Sequence, residues 1–184
     1  MTESRNQPHT TASRASDGRS LDDLVRSGDV AFVTTLDLDG ALSSRPLTVA
    51  DVHGGVLTFL VDASAEWFDA VDGVGVAETD SPVDEVNVAI ANGRNDWVSF
   101  RGRPAVSADR TTIDRLWSPA ATAYFDGPDD PDIRALQVSL VAGEYWSAPG
   151  GGALGRLASV IGAALGRDRD GDPPANERGD LRRD

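Results

Sequence analysis

The segment "VAFVTTLDLDGALSSRPLTVADVHGGVLTFLVDAS", Val30 to Ser64, most constrains what this chain can become. Val30 to Thr35 is rich in β-branched residues, and Asp39-Gly40 supplies the turn chemistry of a tight reversal. The return strand carries Ser43-Ser44-Arg45-Pro46-Leu47-Thr48, and after His53-Gly54-Gly55 a third strand runs through Leu57 to Val61. Proline donates no ladder hydrogen bond, so Pro46 within a long strand implies an edge, a bulge or a site. Arg45 places a fixed positive charge beside it.

The rest of the chain extends this antiparallel pattern. Val86 to Ile90 alternates as a half-buried strand, Asn92-Gly93 marks a turn, and Asp96 to Val106 returns. A last strand is expected from about Ala135 to Trp146. Helices are expected after Ser20, over Ser64–Val71, after Asp109, and within Gly150–Arg167, where Leu154, Leu157, Ile161 and Leu165 share a face. Residues 72–84 read as a loop with a short strand. Residues 1–19 and everything after Gly166 are polar or charged and read as disordered tails, leaving one domain over 20–166. The sum is a mainly β fold with peripheral α-helices: a six-stranded antiparallel barrel.

Composition excludes several chemistries. With no Cys there is neither a disulfide nor a thiolate, and two His make a zinc site a poor reading. All 17 basic residues are Arg, so a Walker A loop, which requires Lys, is ruled out. The net charge of −13 argues against a nucleic-acid partner. It fits the solvated acidic surface of a salt-loving source, or the codon bias of a GC-rich genome. No apolar run reaches the roughly 20 residues of a membrane span, so a cytoplasmic protein without a membrane partner is expected. Gly150-x-Gly152-x-x-Gly155 matches the dinucleotide fingerprint in letters, but no second strand follows to complete a βαβ unit. His53, between a strand end and two glycines, reads as a solvated turn residue. The acidic pairs, Asp129-Asp130 among them, lack EF-hand spacing and read as surface.

"SSRPLTV", "LTFLVDAS", "VNVAIANGRNDWVSFRGRPAV" and the block from Asp109 to Pro149 together resemble the split barrels related to pyridoxamine 5'-phosphate oxidase, especially their general-stress-protein branch. The block holding Leu116-Trp117, Tyr124-Phe125, Asp129-Asp130-Pro131 and Glu144-Tyr145-Trp146 is the most specific part. The resemblance implies a six-stranded split β-barrel that binds FMN in a cleft between two subunits of a homodimer. It also implies an oxidoreductase working on a small-molecule substrate at the flavin. Arg45, Pro46, Leu47 and Thr48 would line the flavin, with Arg45 at the phosphate or polarising the ring. Phe59, Leu60 and Val61 would flank the ring, and Ser64 would approach the phosphate. Trp117, Tyr124 and Trp146 would wall the substrate side. No catalytic acid or base stands out, so the protein's part would be binding and orientation.

One departure bears on the cofactor. Family members commonly carry a Lys near the position of Ser64, where this chain has Ser64-Ala65-Glu66-Trp67. A Glu beside a phosphate dianion is repulsive. F420 in place of FMN, and a non-catalytic stress-related protein with weak or no flavin affinity, therefore stand as alternatives.

Overall fold

The computed structural model describes residues 18–37, 40–72, 85–92, 96–147 and 177–182. Its strands are β1 (Val30–Leu36), β2 (Leu42–His53), β3 (Val56–Asp62), β4 (Val86–Ala91), β5 (Asp96–Ser107), β6 (Ile133–Ser147) and β7 (Glu177–Asp180). All neighbours are antiparallel, in the order β3-β2-β1-β4-β5-β6-β7, and a β3–β6 pairing closes the first six into a barrel. The expected six-stranded antiparallel barrel is the observed one. Closure pairs β3 with β6 along Val56–Asp62 and leaves the edge of β2 before Val49 uncovered.

Strand alternation fills the barrel. Ala31 and Val33 of β1, Val86, Val88 and Ile90 of β4, and Val98 and Phe100 of β5 are all buried. They meet Leu57 and Phe59 from β3 and Leu136 and Val138 from β6 in one core cluster. The wall bends where Val141 bulges out of the β5–β6 register, next to Gly102. A Cβ on Gly102 would come within 2.8 Å of the Ser139 carbonyl oxygen, so only glycine fits that corner.

Helix α1 (Leu21–Leu24) opens with a capping box. The Ser20 hydroxyl accepts from the Asp23 N–H, and the Asp23 carboxylate accepts from the Ser20 N–H. Asp22, on the same turn, accepts from the N–H groups of Gly54 and Gly55 at 3.2 and 3.3 Å. That pins α1 to the β2–β3 hairpin, whose two glycines take φ of 58° and 74°.

Three expectations need correction. The helix expected over Ser64–Val71 is only α2 (Asp69–Asp72), preceded by turns. Asp62 accepts from the Ser64 N–H, and Ala65, Phe68 and Ala70 each bond three residues back. This local bonding competes with a regular helix start. The stretch after Gly166, read as a tail, contains β7, which pairs with Glu144–Ser147 of β6, and Leu181, which is buried. At the other terminus the fold begins before residue 20. Arg19 bonds Asp96 and Ser147, and its guanidinium lies 5.8 Å from the Tyr145 ring centre. The loop 73–84 and the helix expected within Gly150–Arg167 lie outside the described residues.

A cleft where two strands part

The site grows from the point at which β2 leaves β3. Val49 accepts from the Gly28 N–H at 2.8 Å and donates to the Asp29 carbonyl at 2.9 Å. By alternation, Leu47 and Arg45 also turn their backbone groups toward β1. The β2–β3 register begins only at Val49, opposite Phe59, with Ala50 bulged out next to it. Pro46 C=O and Thr48 N–H therefore point toward the gap. Pro46 lies on an edge where no N–H is needed, which is why a proline is tolerated in so long a strand.

The gap opens into a cleft of about 560 Å³, within the range of about 300–1,000 Å³ common for small-molecule sites. One wall is Pro46 to Ala50 with Leu60, Val61 and Asp62; Ala65 and Trp67 continue it, and Ser27-Gly28 borders it. A second part of the lining is Leu116, Ser118, Ala120, Ala121, Tyr124 and Phe125. It is built by α3 (Arg110–Leu116) and a 3-10 helix over Pro119–Ala123. Asp109 caps α3 by accepting from the Thr112 N–H at 3.0 Å and its hydroxyl at 2.6 Å. The Thr112 side-chain bond, then its backbone bond, holds the Asp109 carboxyl below its ordinary value. Pro119 ends the α-helical run and starts the tighter turn that delivers Tyr124 and Phe125. Arg115 pairs with Asp51 at 3.3 Å, tying this wall to β2.

The expected site residues fall into two groups. Pro46, Leu47, Thr48, Leu60 and Val61 line the cleft together, as does Tyr124, which is 75% exposed. The others stand elsewhere. Phe59 is fully buried in the barrel core. Ser64 is exposed in the turn after β3. Trp117 is absent from the lining, its ring centre 6.3 Å from that of Phe125. Trp146 is opposite Trp97 near the end of β6 remote from the β3 pairing. Arg45 is not itself part of the lining: its guanidinium lies 5.1 Å from the ring centre of Trp67 and donates to Asp37 at 3.0 Å and to the Thr35 hydroxyl at 2.9 Å.

Sequence reasoning missed Trp67, Leu116, Ala121 and Phe125 as cleft walls. An apolar residue at helical spacing reads as core, and only the break at Pro119 hinted that this segment turns to face a site. Among the described lining residues, Asp62 is the one ionisable side chain apart from the Tyr124 phenol. Among the described residues no cluster of His, Cys, Asp or Glu could hold a metal ion. None of the described helices is long and apolar enough to cross a membrane.

A closed six-stranded barrel opened along one seam by a ligand-sized cleft is a split β-barrel. The chain belongs to the pyridoxamine 5'-phosphate oxidase like family, whose sequence model matches residues 16–170. It is 24% identical over 136 residues to Protein bli-3 of Neurospora crassa, a match covering 68% of this chain and 62% of that protein. Among solved structures, general stress protein 26 from Jannaschia sp. CCS1 superposes with a TM-score of 0.62 at 21% identity, over 83% of this chain and 89% of that one. The general stress FMN/FAD binding protein of Xanthomonas citri gives 0.50 at 23% identity, over 65% and 80%.

Proposed function

We propose that the cleft takes the ring system of a flavin, FMN in the first instance, and that the protein is a homodimeric oxidoreductase acting on a small molecule. The observation that carries this reading is the seam itself. Open-edge backbone groups at Pro46 and Thr48 meet a cleft whose apolar lining is Leu47, Leu60, Val61, Trp67, Leu116, Tyr124 and Phe125. A flat tricyclic ring with one hydrogen-bonding edge asks for that combination of apolar faces and backbone partners. The FMN/FAD binding named for the Xanthomonas citri relative agrees with it.

The described lining suits the ring better than the phosphate. It offers the Ser27, Thr48 and Ser118 hydroxyls but no Arg or His, and Asp62 is acidic. A flavin bound here supplies two-electron transfer through its ring. The chain's own residues bind it, orient it and keep water from its faces.

The homodimer has its own support. The outer face of β1 and β2 carries Val30, Phe32, Leu36 and Leu42 in the open, with Leu42 76% exposed, and Trp97 of β5 is also exposed. Pro46, opposite Phe32, belongs to that face and to the cleft. A second copy seated there would cover the apolar surface and close the cleft's open side.

The second reading, a ligand-binding protein without catalysis, is favoured by the absence of a carboxylate–histidine or similar acid–base pair among the described lining residues. Titration of the purified protein with FMN and with F420, followed by ligand fluorescence, tests both. Saturable quenching at one ligand per subunit supports the flavoprotein reading and names the cofactor; no binding of either hands the lead to the second.

A further inference from the structure

We infer that Arg45 is a positioning residue that fixes the indole of Trp67 as a wall of the cleft, and is not the phosphate anchor. The inference concerns the same site as the flavin reading and rests on it for the ligand. The Arg45 guanidinium lies 5.1 Å from the centre of the Trp67 ring, within the reach of a cation–π contact. Its edge is committed as well. Nη2 donates to Asp37 at 3.0 Å, and Nη1 donates to the Thr35 hydroxyl at 2.9 Å and to the Ser43 carbonyl at 3.4 Å. The side chain is 22% exposed, and Arg45 does not line the cleft.

Trp67 needs such a partner. It sits in the run of turns between Asp62 and Ala70, ahead of α2, and packs only in part against the core. It is half-buried and faces the cleft. Thr35, buried on the inner side of β1, and Asp37 just beyond that strand hold the guanidinium over the ring. A ligand plane stacking in the cleft then meets an indole already in place, which lowers the ordering cost of binding.

The test compares riboflavin, which has the ring without the phosphate, with FMN. Dissociation constants are measured for the wild type, Arg45→Met, Arg45→Lys and Asp37→Asn, together with the near-UV circular dichroism of each ligand-free protein. The Trp67 contribution is the wild-type spectrum minus that of Trp67→Phe. Positioning predicts that Arg45→Met weakens riboflavin and FMN by the same factor, about tenfold, and erases the Trp67 band. Arg45→Lys, which keeps the charge but loses the fork to Asp37, recovers part of both. Selective loss of FMN, or an unchanged Trp67 band in folded Arg45→Met, overturns the inference. If the wild type binds neither flavin, the functional reading falls, and the ligand-free spectra still decide the role of Arg45. Should Arg45→Met fail to fold, Asp37→Asn decides: a weakened Trp67 band supports positioning and an unchanged one overturns it.

Discussion

Phe100 on β5 stands directly opposite Gly143 on β6, so close that a Cβ on the glycine would lie 2.7 Å from the Phe100 Cα and 2.6 Å from the Ser99 carbonyl oxygen. Both obstacles are backbone atoms and cannot swing aside. Gly143→Ala is expected to force β5 and β6 apart and to cost about 1–3 kcal/mol, the range for overpacking. Urea unfolding followed by circular dichroism checks it. A midpoint equal to that of the wild type would mean the two strands are less tightly apposed than this.

The barrel was legible in the sequence because its strands alternate. Val86, Val88 and Ile90 point inward exactly as their spacing asks, and Ser20 and Asp109 cap helices as their side-chain chemistry asks. The cleft was half legible. Pro46 marked the open edge of β2 from sequence alone, since a proline has few other places in a long strand. Phe59 stays in the core because it still pairs with Val49 of β2, whereas Leu60 and Val61 follow where β2 has left β3. Trp67 and Phe125 come from turns whose direction is set by tertiary contacts. Glu177 to Asp180, charged and glycine-containing, has no strand-like composition; it is held by a β6 edge that β3 leaves uncovered.

That uncovered edge makes the carboxy-terminal segment part of the fold. Leu181 is buried in the core cluster, and its N–H donates to the Gly143 carbonyl at 2.9 Å. Leu181→Ala is expected to cost about 2 kcal/mol, at the low end for a buried leucine because the site is near the surface. Thermal unfolding of the full chain would show it, and a Tm equal to the wild type would return this segment to the status of a tail.

Ala120 sits exposed on the 3-10 helix and faces the cleft. Ala120→Trp adds an indole to the slot without disturbing the barrel core. Flavin affinity is expected to fall by about tenfold or more, as a filled site must reject its ligand's plane, with the Tm near that of the wild type. Unchanged affinity in fluorescence titration would place the ligand elsewhere.

Phe32 is 52% exposed on the outer face of β1, between Pro46 and Ala89. In a homodimer formed through this face, Phe32→Glu buries an unpaired charge at the contact, which costs far more than the lost apolar area. Sedimentation is expected to show a monomer with an intact circular dichroism spectrum and weakened flavin binding. A dimer that survives the substitution would move the interface off this face.

The capping box at α1 should leave a mark in the acid range. The Ser20 backbone N–H and then its hydroxyl, both 3.0 Å from one Asp23 carboxylate oxygen, hold the Asp23 carboxyl below its ordinary value of 3.8. The fold thus prefers the ionised form. Its contribution is complete well above pH 3.8 and drains away as pH falls through the lower folded-state value, because the unfolded chain takes up its proton first. The stability gap between the wild type and Asp23→Ala is therefore expected to be wide at about pH 6 and to narrow toward about pH 2.5. Denaturant midpoints across that range measure it. A gap that stays constant would mean that the box works through the shape of the side chain and not through its charge.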